Sequence, residues 1–286
     1  MSFADFDLLL ILLSKVRIWM AHTNKDINEI IFGYTILYNS DLIDALFATV
    51  ADNLRGINKI GIAFSGGIDS TLLAKICKNM NIDTTLLTVG FPDSNDIEFS
   101  KTISRKINMN HKVLEIDKHD FSVFSKKIRD EMTCRNLSHI ENCIAFSYVA
   151  QLASNNGLNV VLTANGFDEL FCGYNNFRII FKQGNDTINK TIESKILNEL
   201  ELINEIKQAV EKYNIRIIQP FLSKGFISIA MKFPIYDKIV SDDDLLRKHI
   251  IRKIALSFEI PPEVIIRRKK ALQYGSLIHK NYKEID

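Results

Sequence analysis

Six residues, Ser65-Gly66-Gly67-Ile68-Asp69-Ser70, separate the apolar run IGIAF from the helix-patterned TLLAKICKNM. Two glycines let the backbone turn tightly and bring its N–H groups against a bound group. The Ser65 and Ser70 hydroxyls add donors, and a helix N-terminus adds the positive end of its dipole. The combination is a nest for an anion such as a phosphate. It differs from the G-x-x-x-x-G-K-[ST] loop, because no lysine follows the glycines and an aspartate stands among them. A carboxylate beside a phosphate is repelled unless a cation lies between them, so Asp69 reads as a Mg²⁺ ligand rather than a phosphate contact. The blander reading makes Asp69-Ser70 a helix cap. A second turn, in VVLTANGFDELFCGY (residues 160 to 174), ends an apolar strand at Gly166 and presents Asp168 toward the same loop. Asp69 and Asp168 together suit a Mg²⁺ held between them and the bound anion. Taken alone, Asp168-Glu169 would cap a helix whose Leu170 and Phe171 are core, and Arg267-Arg268-Lys269-Lys270 would be a solvated basic turn.

The elements that must position these residues follow from the spacing of apolar positions. Leu42, Ala45, Leu46, Val50 and Leu54 fall at helical spacing, with Ser40 or Asp41 as N-cap and Gly56 as the stop. Strands are predicted over 59 to 64, 84 to 89, 111 to 116 and 159 to 163. Helices are predicted over 70 to 80, 95 to 108 and from about 120 to 156. Strands separated by helical crossovers make right-handed βαβ units, hence an α/β fold whose parallel sheet carries helices on both faces and binds ligands at the strands' carboxyl ends. Beyond Tyr174 the strand rhythm fades into a mainly helical C-terminal part, roughly 191 to 212, 224 to 233 and 244 to 258, broken at Pro220, Pro234 and Pro261-Pro262.

Composition narrows the setting. Only 12 glycines and 5 prolines in 286 residues exclude collagen-like and linker-rich chains. Thirty-six basic against 34 acidic residues give a net charge of +2, which forecasts no nucleic-acid grip. Cys77, Cys134, Cys143 and Cys172 form no C-x-x-C pair and are too sparse for a disulfide framework. The apolar run Leu8 to Leu13 is far short of the roughly 20 residues of a membrane span, and Asp5 and Asp7 replace the basic start of a signal peptide. These features predict a cytoplasmic protein without membrane partners. Residues 1–40 read as an extension of unassigned role, preceding one domain over 41–286.

At Ser65–Ser70 the chain resembles the ATP pyrophosphatases, S-G-G-x-D-S enzymes that cleave ATP into AMP and pyrophosphate while activating a carboxylate or carbonyl oxygen. Asparagine, NAD and GMP synthetases and several tRNA-modifying enzymes share that motif. Four further segments resemble the synthetase domain of asparagine synthetases: LLTVGFPDSNDIEFSKTISRKINMNHKVLEI, whose strand end at Val89-Gly90 would receive the adenine; VVLTANGFDELFCGY, similar to S-G-E-G-A-D-E-L-F-G-G-Y; IIQPFLSKGFISIAMKFP, similar to the V-P-F-L-D segment; and PPEVIIRRKKALQYG, similar to the R-x-K segment. The resemblance spans roughly residues 41 to 280. It implies an adenine nucleotide alpha hydrolase-like sheet that takes ATP and Mg²⁺. Ser65, Gly66, Gly67, Asp69, Ser70, Val89, Gly90, Gly166 and Arg268 would lie at the nucleotide, Asp69 and Asp168 at the metal, and Lys270, Asp168 and Asn165 at the reaction. A lysine ammonium at 270 is a mobile point charge able to follow charge building on the α-phosphate and pyrophosphate.

The sequence departs from that pattern in places that bear on the substrate. The family's glutamate in G-E-G-A-D-E aligns with Asn165, and the aspartate of P-F-L-D with Ser223; an amide and a hydroxyl hydrogen-bond but do not take up a proton as a carboxylate does. Ser2 follows Met1, and about 56 residues precede the phosphate strand, so no counterpart of the family's glutaminase domain with its N-terminal cysteine is expected in this sequence. Ammonia would come free or from a separate glutaminase subunit. The expected activity is adenylation of a carboxylate, aspartate by default, followed by attack of ammonia. An ATP pyrophosphatase acting on another acid or on tRNA, and a nucleotide-binding protein without turnover, are the rival readings.

Overall fold

A parallel sheet covered by helices needs strands that are apolar on both faces, and DTTLLTVG meets that demand: every residue after Asp83 is buried. The structure, a computed structural model, describes residues 27–132, 136–268 and 270–285, with side chains from Ser40 onward. Helix α1 (Ile27–Asn53) leads into β1 (Lys59–Ala63), α2 (Ile68–Asn79), β2 (Asp83–Gly90), α3 (Asn95–Lys106) and β3 (Asn110–Glu115). Then come α4 (Lys118–Glu131), α5 (Leu137–Asn155), β4 (Val160–Leu162), the single turn α6 (Phe167–Leu170), α7 (Asn176–Ile180) and the long α8 (Asn185–Val210). The chain closes with β5 (Arg216–Ile218), α9 (Lys224–Ala230), α10 (His249–Ser257), α11 (Pro262–Ile265), α12 (Leu272–Gly275) and α13 (Ile278–Lys283). The sheet is parallel throughout, in the order β3-β2-β1-β4-β5.

Strand alternation sorts the core into two halves. Ile60, Ile62, Leu86 and Leu162 pack on one face with Leu42 and Leu46 of α1 and Leu72 and Ile76 of α2. Leu87, Val89 and Val161 pack on the other with Ile144 and Val149 of α5, Leu202 and Ile206 of α8, and Ile278 of α13. The expected α/β sheet with helices on both faces is therefore the observed one. The chain runs outward from β1 through β2 to β3, then returns to lay β4 on the opposite side of β1. That reversal opens a crevice at the carboxyl ends of β1 and β4.

Four details differ from the sequence reading. Helix α1 is already running at Ile27, so Ser40 and Asp41 lie within it and neither is its N-cap; Gly56, at φ +75°, does stand at its end. Strand β5 went unread because three residues are too few to show alternation. Helix α8 starts earlier than expected, at Asn185. The helix expected over 244 to 258 begins only at His249, because Arg247 and Lys248 adopt left-handed backbone at φ +51° and +53°. Residues 1–26 of the extension, Cys134 and Lys269 lie outside the described residues. Cys77, Cys143 and Cys172 are buried thiols outside any disulfide, and burial pushes Cys77 and Cys172 up to about 12. No helix among the described residues is long and apolar enough to cross a membrane.

Candidate functional site

The phosphate loop leaves the sheet in fixed register, since the Phe64 N–H still donates to Leu87 O at 2.8 Å. Gly66 takes φ +73°, and a β-carbon there would stand 2.9 Å from the Phe99 ring, so glycine is required twice over. Inside the loop the Gly67 N–H donates to Ser65 Oγ (3.3 Å) and the Ser70 hydroxyl to Gly67 O (3.2 Å). Gly67 is the N-cap of α2, and no side chain caps it. The reading of Asp69-Ser70 as a simple cap therefore fails, and the dipole of α2 is directed at the crevice.

Strand β4 ends beside this loop. The chain turns at Gly166 (φ +108°), where a β-carbon would meet Phe221 O at 2.9 Å. The following turn has features of a helix cap and also brings Asp168 to the cavity that the phosphate loop lines. Glu169 Oε2 accepts from the Gly166 N–H at 3.0 Å, and Leu170 and Phe171 are core, whereas Asp168 faces α2.

Between Asp69 and Asp168 stands a cation the sequence reading missed. Lys248 Nζ lies 2.5 Å from Asp69 Oδ2 and 2.7 Å from Asp168 Oδ1, with its side chain 2% exposed. Its position is built by the preceding turn. Asp244 accepts from the amides of Leu246 (3.1 Å), Arg247 (2.9 Å) and Val240 (3.2 Å) and pairs with His249 at 2.6 Å. Burial alone would raise the Asp244 carboxyl, but His249 and the amides outweigh it and hold it well below the usual carboxylate range. Arg247 Nε donates to Gly173 O at 3.1 Å, tying this turn to the segment after Asp168.

A cavity of about 280 Å³ collects most of the expected residues: Ser65, Gly67, Asp69, Ser70, Asn165, Asp168, Arg268 and Lys270 line it. Gly66 and Gly166 shape its loops from behind. Val89 and Gly90 are buried at the end of β2 outside this cavity; Val89 lines a small neighbouring one with Ser65 and Asp96, and Gly90 lies against Ser276, whose carbonyl accepts from the Phe91 N–H at 3.0 Å. Arg267 pairs with Asp96 Oδ1 (3.4 Å) and lies 3.7 Å over the Phe99 ring, so the basic loop is docked against the residue that packs on Gly66. Ser223 caps α9 by accepting from the Phe226 N–H at 3.4 Å and is not part of the cavity wall.

Helix α8 supplies Lys195, Asn198 and Glu199 to the same cavity. The Asn165 amide donates to Glu199 Oε1, while the Thr163 hydroxyl donates to Asn165 Oδ1. The Tyr174 hydroxyl donates to Glu169 Oε1. Burial, with Glu199 and Asp168 nearby, pushes Glu169 well above the usual carboxylate range. A carboxylate is thus present beside Asn165, delivered by a helix instead of by the strand-end motif.

The donor set at Asp69 and Asp168 suits Mg²⁺: both offer hard oxygens, and Asp69 Oδ1 is buried with no hydrogen-bond partner. Among the described residues no three or more His, Cys, Asp or Glu side chains form a closed metal site. A cation held here would need its remaining ligands from phosphate oxygens and water.

The asparagine synthase family model matches residues 41–216. A Methanocaldococcus jannaschii protein provisionally designated asparagine synthetase [glutamine-hydrolyzing] 1 is 26% identical over 263 residues, covering 81% of this chain and 48% of that protein. Escherichia coli asparagine synthetase B [glutamine-hydrolyzing] is 20% identical over 250 residues, covering 82% of this chain and 45% of that protein. The chain thus spans about half the length of the curated relatives it matches. Among solved structures, NMN synthetase from Francisella tularensis superposes with a TM-score of 0.45 at 13% identity, covering 84% of this chain and 77% of that one.

Proposed function

The chain belongs to the asparagine synthase family, and on that premise we propose that it is an ATP-dependent amide-forming ligase that adenylates a carboxylic acid and passes the acyl group to ammonia. The observation that carries this reading is the meeting of the uncapped α2 nest with Asp69, Asp168 and Lys248 at the ends of β1 and β4.

In this mechanism the Ser65–Ser70 amides and hydroxyls hold the phosphates of ATP. A substrate carboxylate oxygen attacks the α-phosphorus and pyrophosphate leaves, giving an acyl adenylate. Lys248, Arg268 and Lys270 oppose the charge that accumulates on the departing pyrophosphate. Ammonia then attacks the acyl carbon, and AMP departs. Asn165 hydrogen-bonds the acid, and Glu199 beside it accepts the proton that the attacking nitrogen sheds. Mg²⁺ held by Asp69 and Asp168 would supply charge neutralisation on the phosphates.

Aspartate is the default acid through family membership. Ser223 caps α9 away from the cavity, which favours testing other acids alongside it. Chromatography of products from Mg-ATP, ammonium and a panel of amino acids and other carboxylates tests the proposal. AMP, pyrophosphate and an amide are expected, with no amide from glutamine in place of ammonium. ADP and phosphate as products would overturn the reading.

A further inference from the structure

The two cationic parts of the site, Lys248 and the Arg268–Lys270 loop, come from separate segments and share one buried connector, Arg252. Its side chain, on a residue 7% exposed, gives its hydrogen bonds to backbone. Nε donates to Arg247 O at 2.7 Å and Nη2 to Leu246 O at 2.6 Å, the two carbonyls just before Lys248. Nη2 also donates to Arg267 O at 3.3 Å and Nη1 to Ile265 O, on the approach to Arg268. Arg252 is itself fixed to Lys248, because its N–H donates to Lys248 O at 3.0 Å in the first turn of α10.

We propose that Arg252 is a positioning residue that sets the spacing between Lys248 and the Arg268–Lys270 loop, so that both cations meet the pyrophosphate of the same nucleotide. The inference rests on the ligase reading above. Two features support it beyond the bonds. Arg247 and Lys248 both hold left-handed φ angles, a costly conformation for residues with side chains, and Arg252 accounts for the carbonyls that this turn exposes. Only a planar guanidinium can span four carbonyls on two segments; a lysine ammonium is a compact point charge. A shift of about 1 Å in groups that act on developing charge can cost a hundredfold in rate.

The test uses the full chain with the acid found for the wild type, comparing R252K, K270A and the double variant. R252K should lower kcat by about 10- to 100-fold and leave KM for ATP within about threefold. In the K270A background the same change should cost at least about threefold less than in the wild type, because one of the cations whose spacing it sets is gone while Lys248 and Arg268 remain. Hydrogen exchange without nucleotide should quicken at least about tenfold in both 246–249 and 265–268 in R252K, with β1 and β2 unchanged. Equal losses in both backgrounds, or a raised KM with kcat kept, would make Arg252 a general support or a nucleotide contact and overturn the proposal. So would quickened exchange in neither or only one segment, or loss of a cooperative melt in both R252K and R252Q. Wild-type formation of ADP, or no turnover, would instead sink the ligase reading, and hydrogen exchange alone would then decide the role of Arg252.

Discussion

Gly173 and Lys248 pack so closely that a β-carbon on the glycine would stand 2.4 Å from Lys248 Cε, and 2.0 Å from Asp168 Oδ1. The glycine is the wall against which the buried ammonium rests. Gly173→Ala should therefore push Lys248 off the carboxylates, lowering turnover by at least about 10²-fold and stability by roughly 1–3 kcal/mol. Steady-state rates and urea unfolding check it. Unchanged kinetics would mean Lys248 has room to move and that its observed position is not the working one.

Removing the ammonium itself should separate charge from shape. Lys248→Ala leaves Asp69 and Asp168 facing each other without a cation, at a cost of about 3–5 kcal/mol as for other broken buried pairs. Divalent cations should then bind the pair without nucleotide more tightly than in the wild type. Mn²⁺ titration followed by electron paramagnetic resonance measures this. Equal Mn²⁺ affinity in both proteins would show that Lys248 does not compete for the carboxylates.

Lys270 is exposed and lines the cavity, as expected of a group that acts only when substrate is present. Lys270→Ala should reduce kcat by about 10²- to 10³-fold with a much smaller change in ATP affinity. Lys269, outside the described residues, is the comparison, and Lys269→Ala should cost far less. Near-equal losses would mark the loop as a general anion patch.

Glu199 should matter to the second half-reaction alone. Glu199→Gln keeps the hydrogen bond from Asn165 but takes up no proton, so acid-dependent exchange of pyrophosphate into ATP should persist while amide formation falls at least about tenfold. Parallel loss of both would make Glu199 a residue of acid binding instead.

His111 gives the fold a pH dependence. Its Nε2 lies 2.8 Å from Thr88 Oγ1, whose hydroxyl donates to Phe64 O at 2.5 Å, so Nε2–H is the donor there, while Nδ1 lies 3.1 Å from Ser104 Oγ. Burial, then Lys101 and Arg105, lower it from 6.5 to about 4. The unfolded chain binds the extra proton between those values, so stability should fall as pH drops from 6.5 to 4, by about 1–2 kcal/mol after discounting for partial exposure. His111→Gln should flatten that part of the melting-temperature profile. An unchanged slope would assign it to other groups.

What could be read in the sequence was what local chemistry dictates. The Ser65–Ser70 loop declares itself because strand, glycines, hydroxyls and helix are contiguous, and the apolar runs of β1, β2 and β4 need no partner to be recognised. Lys248 was hidden because LLRKHIIRKI has helical spacing, while its function depends on two left-handed residues that stop the helix short at His249. Glu199 was hidden because it falls in the buried stripe of α8 with Ile196, Leu202 and Ile203, where helical spacing leads one to expect an apolar side chain. Gly90 sits at the expected strand end, but Ser276, far along the chain, packs against it. Each of these outcomes was set by long-range packing that residue spacing does not encode.

The return of the chain to lay β4 beside β1 also fixes the order in which the protein can mature. Strands β1, β2 and β3 are consecutive and can pair as the chain emerges, carrying the glycine loop with them. Asp168 and Lys248 arrive only after the α4–α5 excursion has closed and α10 has docked, contacts of long sequence separation that form late. A chain in which only the first three strands had paired would therefore possess a phosphate nest with neither its carboxylate partner nor its ammonium. Nucleotide affinity would then rise in a step at the end of folding, making ATP a reporter of the finished topology and a ligand that favours it over every earlier state.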